Sequence, residues 1–255
     1  MMRRAAYACA AAALLAVIAA HGRGSASDGA CGLGPPPGAP GFAEAQARDE
    51  ADLRKNGYLP ACEASLARYD LPLLRAAALA DVAFPPVELA RTPFAGFESA
   101  GAWSESVNDT RSRLYRAFRT PDGHTLVLFE HDMSADGSSS WRAAQFEQER
   151  VNGSPARLVV LRAPSGRMVS SLTWTEGRRS YELWLDGNDA RHPAGPQLLA
   201  LAAALPRSVP ACPNEAPVAP PRLGPDGMPE IGPIPAVLTG AEVAAALEKS
   251  GKSCK

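Results

Sequence analysis

Lysine is almost missing from this chain. Lys55, Lys249, Lys252 and Lys255 are the whole complement, so arginine supplies nearly all of the 26 basic residues. These face 27 acidic residues, and a formal net charge of −1 gives no reason to expect nucleic acid or an acidic lipid surface as partner. Charged residues make up 21% and aromatic residues only 6%. Those shares exclude a coiled coil, a collagen-like chain and a highly charged disordered chain, and they fit one globular domain with added segments. No cysteine stands in a C-x-x-C pattern, which removes the usual zinc and dithiol motifs, and neither G-x-S-x-G nor H-E-x-x-H occurs. No cofactor is expected. The abundance of alanine, arginine and the 24 prolines reads as a high-GC bacterial coding bias.

The most specific feature that is present lies at the N-terminus. Arg3 and Arg4 precede an uncharged apolar run over 5–20, and the small residues Ser25-Ala26-Ser27 follow. That order is the pattern of a secretory signal peptide, here over 1–26, and the run is too short and alanine-rich to favour an uncleaved span. Cleavage would remove three arginines and no acid, taking the net charge to −4. The expected location is the periplasm or the exterior, with no integral membrane span after cleavage.

Four cysteines would remain, Cys31, Cys62, Cys212 and Cys254, an even number suited to two disulfides in an oxidising compartment. The pairing Cys31–Cys62 with Cys212–Cys254 is favoured, because each pair flanks one terminal segment. A Cys62–Cys212 bridge is the alternative. Cys31 also invites lipidation, ahead of a Gly/Pro-rich tether, although Asp28 stands where an aliphatic residue is normal.

Residues 27–41 read as a flexible linker and 42–86 as a helical segment. Gly57 would end one helix, and a second would start near Cys62. Short alternating runs separated by turn signals follow from about Arg111 to Asp186, among them Pro121-Asp122-Gly123, Asn152-Gly153 and Pro164-Ser165-Gly166. They predict an antiparallel meander of about six strands. Met168, Leu172 and Trp174 share one parity, as do Tyr181, Leu183 and Leu185, so one face is apolar. Leu198, Leu201, Ala202 and Leu205 have helical spacing and would cover that face. The fold class is therefore α+β, with a sheet-plus-helix domain over 87–212. Residues 213–255 read as a Pro-rich arm with a short terminal helix at 239–249.

The strings Val151-Asn152-Gly153-Ser154-Pro155-Ala156, Leu172-Thr173-Trp174-Thr175-Glu176-Gly177, Tyr181-Glu182-Leu183 and Leu198-Leu199-Ala200-Leu201-Ala202 occur in one order. This order resembles an uncharacterised domain of exported bacterial lipoproteins and anti-sigma-factor ectodomains. The likeness covers roughly residues 150–207. It implies an envelope protein with a sheet-plus-helix domain, and it carries no site residue.

Three patterns could hold chemistry. The loop from Asp132 through Asp136, Gly137 and Ser138 matches the first half of a calcium loop, but Ala143 stands where a bidentate carboxylate is required. Glu130 or Glu147 could supply oxygen from a neighbouring strand. His131 lies near the serines 138–140, which would suit a secreted hydrolase; Asp132 cannot orient it from the opposite face of the same strand. Trp184, opposite in parity to Tyr181 and Leu183, and Trp141 are the candidate binding surface. The leading expectation is non-catalytic binding to an envelope protein or small molecule. The hydrolase and an apolar small-molecule or lipid carrier are the alternatives.

Overall fold

A computed structural model describes residues 40–70, 81–107, 109–138, 140, 147–187, 195–208 and 224. The chain divides into two units, 1–34 and 35–255, and every described residue belongs to the second.

Helix α1 spans Phe42–Asn56 and ends at Gly57, whose φ of 74° lets its amide close on the Leu53 carbonyl. Strand β1, Leu59–Pro60, is followed by the single turn α2, Glu63–Leu66, with Cys62 as its N-cap, and by a 3-10 turn over Ala67–Tyr69. The predicted helix stop at Gly57 and restart at Cys62 are both found.

Seven further strands follow: β2 Glu98–Val107, β3 Thr110–Arg119, β4 Thr125–Asp132, β5 Glu149–Val151, β6 Ser154–Arg162, β7 Met168–Glu176 and β8 Arg179–Asp186. The one-turn helix α3, Met133–Asp136, leaves β4, and α4, Gly195–Ala203, follows β8. The fold is α+β, as expected, but the sheet is not a six-stranded antiparallel meander. It has eight strands in the order β1-β6-β7-β8-β4-β3-β2, with β5 also paired to β6, and β1 runs parallel to β6. Two meanders, β2-β3-β4 and β5-β6-β7-β8, are joined side by side where β4 meets β8.

Both faces are covered, where the sequence suggested one. On the front face Leu126, Leu128, Leu172, Trp174, Tyr181, Leu183 and Leu185 meet Leu198, Leu201 and Ala202 of α4, together with Val87 and Phe94 from the segment before β2. On the back face Val127, Val169 and Trp184 meet Leu66 and Tyr69 of the α2 region. Removing these side chains from water contributes roughly 25 cal/mol per Å² of apolar area, so two covered faces hold the sheet better than one. Among the described residues no helix is long and apolar enough to cross a membrane.

Candidate functional site

Strand β4 ends in three ionisable residues, Glu130, His131 and Asp132, and strand alternation sends them to different faces. Glu130 and Asp132 go to the front. There Arg116 Nη2 donates to Glu130 Oε1 at 2.5 Å. Arg179 reaches both acids, 3.5 Å from Glu130 Oε2 and 2.6 Å from Asp132 Oδ2. The Val87 amide donates to Glu130 Oε2 at 2.8 Å, and Arg179 donates to the Pro85 carbonyl at 2.8 Å while lying over the Phe84 ring. All four charged side chains are buried, with two charges of each sign. Burial pushes the Glu130 carboxyl up, opposed by Arg116, the Val87 amide and Arg179. Such a network ties β3, β4 and β8 to the segment over 84–87, and only Arg116 keeps a small part of its side chain in solvent.

His131 turns to the other centre. Its Nε2 lies 2.7 Å from Asp136 Oδ2, and Ser112 Oγ donates to the same oxygen at 2.5 Å. The Ser138 amide donates to Asp136 Oδ1 at 2.8 Å, and the Ser138 hydroxyl donates there too. Burial pushes the Asp136 carboxyl up, but the bonds from Ser112, Ser138 and His131 outweigh it and its pKa is lowered. Asp136 is thus an ionised acceptor. The one turn of α3, capped by Asp132, carries it back beside His131.

A histidine, a serine and an aspartate therefore meet, but they are connected differently from a nucleophilic triad. A triad needs the acid on one ring nitrogen and the hydroxyl on the other, so that the second can accept the serine proton. Ser138 Oγ stands 3.2 Å from the same Nε2 that Asp136 holds. A proton on Nε2 directed at Asp136 leaves that nitrogen no lone pair for Ser138. Ser140 is exposed, and Ser139 lies outside the described residues.

The calcium-loop pattern is likewise put to other use. Asp132 accepts from the Ser134 amide at 3.0 Å and the Ser134 hydroxyl at 2.5 Å, and its second oxygen holds Arg179. The two aspartates serve different centres, and a guanidinium sits where a cation would be needed. Glu130 is bound to Arg116; Ala143 lies outside the described residues. Among the described residues no three His, Cys, Asp or Glu side chains gather as metal ligands.

Trp184 does not offer a binding surface. It is 3% exposed, packed edge-on against Tyr69 at 5.5 Å and Tyr115 at 6.0 Å, because the α2 region covers this part of the back face. Trp141 lies outside the described residues. Among the described residues the exposed tryptophan is Trp103, at 38%. Strand register sets it beside Tyr115 and then Phe129, both half-buried, with the last two rings 4.7 Å apart. Glu105 accepts the Tyr115 hydroxyl at 3.0 Å and stands 3.7 Å from Arg113, which fixes the row at one end. Alternation over 98–107 would have located Trp103, but this stretch of Glu, Ser, Ala and Gly carries too little β-propensity to announce a strand.

Cys62 stands at the N-cap of α2. Cys31, Cys212 and Cys254 lie outside the described residues, as does the predicted helix at 239–249. No protein-family model matches the chain, and no curated protein or solved structure does so either.

Proposed function

We propose that this chain is an exported bacterial envelope protein that works by binding, without catalysis, and that its contact surface is the aromatic row Trp103–Tyr115–Phe129. The observation that carries this reading is that Trp103 is the one exposed large hydrophobic side chain among the described residues and stands beside the half-buried rings of Tyr115 and Phe129. Tryptophan and tyrosine offer a rigid apolar body with a polar tip, a combination favoured at contacts with proteins and other envelope components. Export through the segment 1–26, disulfides Cys31–Cys62 and Cys212–Cys254, and a lipid anchor on Cys31 as the alternative to the first bridge belong to the same proposal. So does kinship with the ectodomains of exported lipoproteins and anti-sigma factors.

The hydrolase alternative draws on the 3.2 Å approach of Ser138 to His131, and sharing of Nε2 with Asp136 argues against it. The carrier alternative needs space between sheet and helix, where Leu172, Leu183 and Leu198 are fully buried.

A photo-crosslinking residue placed at position 103 in living cells tests the binding reading. The expected result is a discrete adduct in the envelope fraction that is missing when the probe sits at exposed Asn152. Equal adducts from both positions, or none from position 103, would overturn it. Ester hydrolysis by the purified protein that disappears in His131→Ala would overturn the non-catalytic part.

A further inference from the structure

We infer that Asn56 is a site of spontaneous covalent modification. Its side-chain amide converts to an acid through attack by the Gly57 backbone nitrogen, with water as the only co-reactant, while the same dipeptide at Asn152-Gly153 is protected by its turn.

The sequence holds two Asn-Gly dipeptides, and a glycine after asparagine leaves the following nitrogen sterically open to the side chain. All four residues are exposed, and nothing lies within 4 Å of a Cβ placed on Gly57 or Gly153. Access therefore does not separate the two sites. Backbone conformation does. Attack closes a five-membered ring, so the glycine nitrogen must eclipse the asparagine Cβ. That arrangement needs a ψ of about −120°, which is about 80° from a helical residue and about 165° from a left-handed one. Asn56 is the last helical residue of α1, whereas Asn152 has a φ of 50° in the hairpin turn.

The cost of the rotation differs as well. At Asn56 it releases the bond from Gly57 N to Leu53 O, 2.9 Å long, and the 3.5 Å contact of Asn56 Nδ2 with Asp52 Oδ1. Both lie at an exposed helix end, and among the described side chains of α1 none is buried. An end held in this way opens locally at small free energy. At Asn152 the same rotation destroys the turn that pairs Val151 with Ser154, and Val151, 2% exposed, belongs to the front-face core. The hairpin must leave that core before its asparagine can react.

In the reaction the N–Cγ bond forms and the Cγ–Nδ2 bond breaks. The proton lost from the Gly57 nitrogen ends on the departing ammonia. Water then opens the cyclic imide at one of its two carbonyls, giving aspartate, or isoaspartate in which the chain runs through the side chain. Either product puts a carboxylate at the negative end of α1, four residues after Asp52, where two effects disfavour it. Isoaspartate also lengthens the backbone by one methylene just before Gly57, which draws its amide away from the Leu53 carbonyl and loosens α1 from β1.

Ageing the purified full chain in mildly alkaline heavy-oxygen water, followed by peptide mapping, tests the inference. The expected outcome is heavy-oxygen uptake at Asn56 about tenfold ahead of Asn152, because a helix end opens locally and the hairpin does not. In concentrated urea the two rates should converge. Asn56→Gln should abolish uptake at that position and leave Asn152 unchanged. After conversion the Gly57 amide should exchange with solvent several-fold faster, while β7 and β8 amides keep their protection. Uptake at Asn152 that equals or leads Asn56 in the folded chain would overturn the assignment, as would uptake in urea alone. Unchanged exchange at Gly57 after conversion would overturn the loosening of α1.

Discussion

Asp136 accepts hydrogen bonds from residues of β3, β4 and its own loop, and its side chain has no solvent exposure. Its pKa in the folded chain is lowered, whereas in the unfolded chain it is about 3.9. A carboxyl depressed by folding contributes stability above the unfolded pKa, and that contribution is lost as pH falls through the folded one. Asp136→Asn should therefore lower stability at pH 7 by about 1–3 kcal/mol, the usual cost of leaving buried donors poorly matched. The gap between native and variant urea midpoints should narrow steadily from pH 5 toward pH 2. A gap that stays constant with pH would show that the lost stability is not tied to the carboxylate charge. His131 reports on the same centre: its partner is the residue five positions on, because a single helical turn reverses the chain after β4.

Among the elements, the β5–β6 hairpin shows most directly how sequence chose structure. Asn152 and Gly153 adopt φ of 50° and 87°, the left-handed pair that a two-residue hairpin turn requires, and Val151 faces Ser154 across it. Nothing approaches a Cβ at Gly153, so replacing it by alanine tests backbone strain alone. Gly153→Ala should cost about 1–2 kcal/mol, read as a drop in the urea midpoint, while an alanine at Gly96, where φ is ordinary and space is open, should cost much less. The same local chemistry made the stop of α1, the start of α2 and the succession of β3 to β8 along the chain legible. What local chemistry does not encode is which distant strands meet. Strand β1 is two residues long, and its pairing with β6 spans about a hundred positions. Strand β2 was hidden by its polar, small-residue composition. The candidate site suffered for the same reason. His131 and the nearby serines were legible as a group, but the diversion of Asp132 to Arg179 depends on β4 and β8 meeting. Trp184 and Tyr69 lie far apart in sequence, so strand parity alone does not show what covers that tryptophan.

At the scale of the whole molecule, the two meanders share one seam, seven residue pairs from Leu126↔Leu185 to Asp132↔Arg179. The buried charges cluster at one end of it. Arg179→Ala leaves Asp132 and part of Glu130 uncompensated in the interior and should cost about 3–5 kcal/mol in equilibrium unfolding, more than the loss of a surface ion pair such as Arg54–Glu50. Stability is not the only thing these charges supply, because well-packed apolar residues hold a seam at least as firmly. Leucines can slide past one another with little penalty. A guanidinium fitted between two carboxylates cannot: moving β4 by one residue along β8 would turn Glu130 and Asp132 to the back face and strand Arg179 among apolar side chains. The network therefore acts as an index mark. It gives two locally assembled halves one alignment to find, and it penalises each neighbouring misalignment with a buried, unmatched charge.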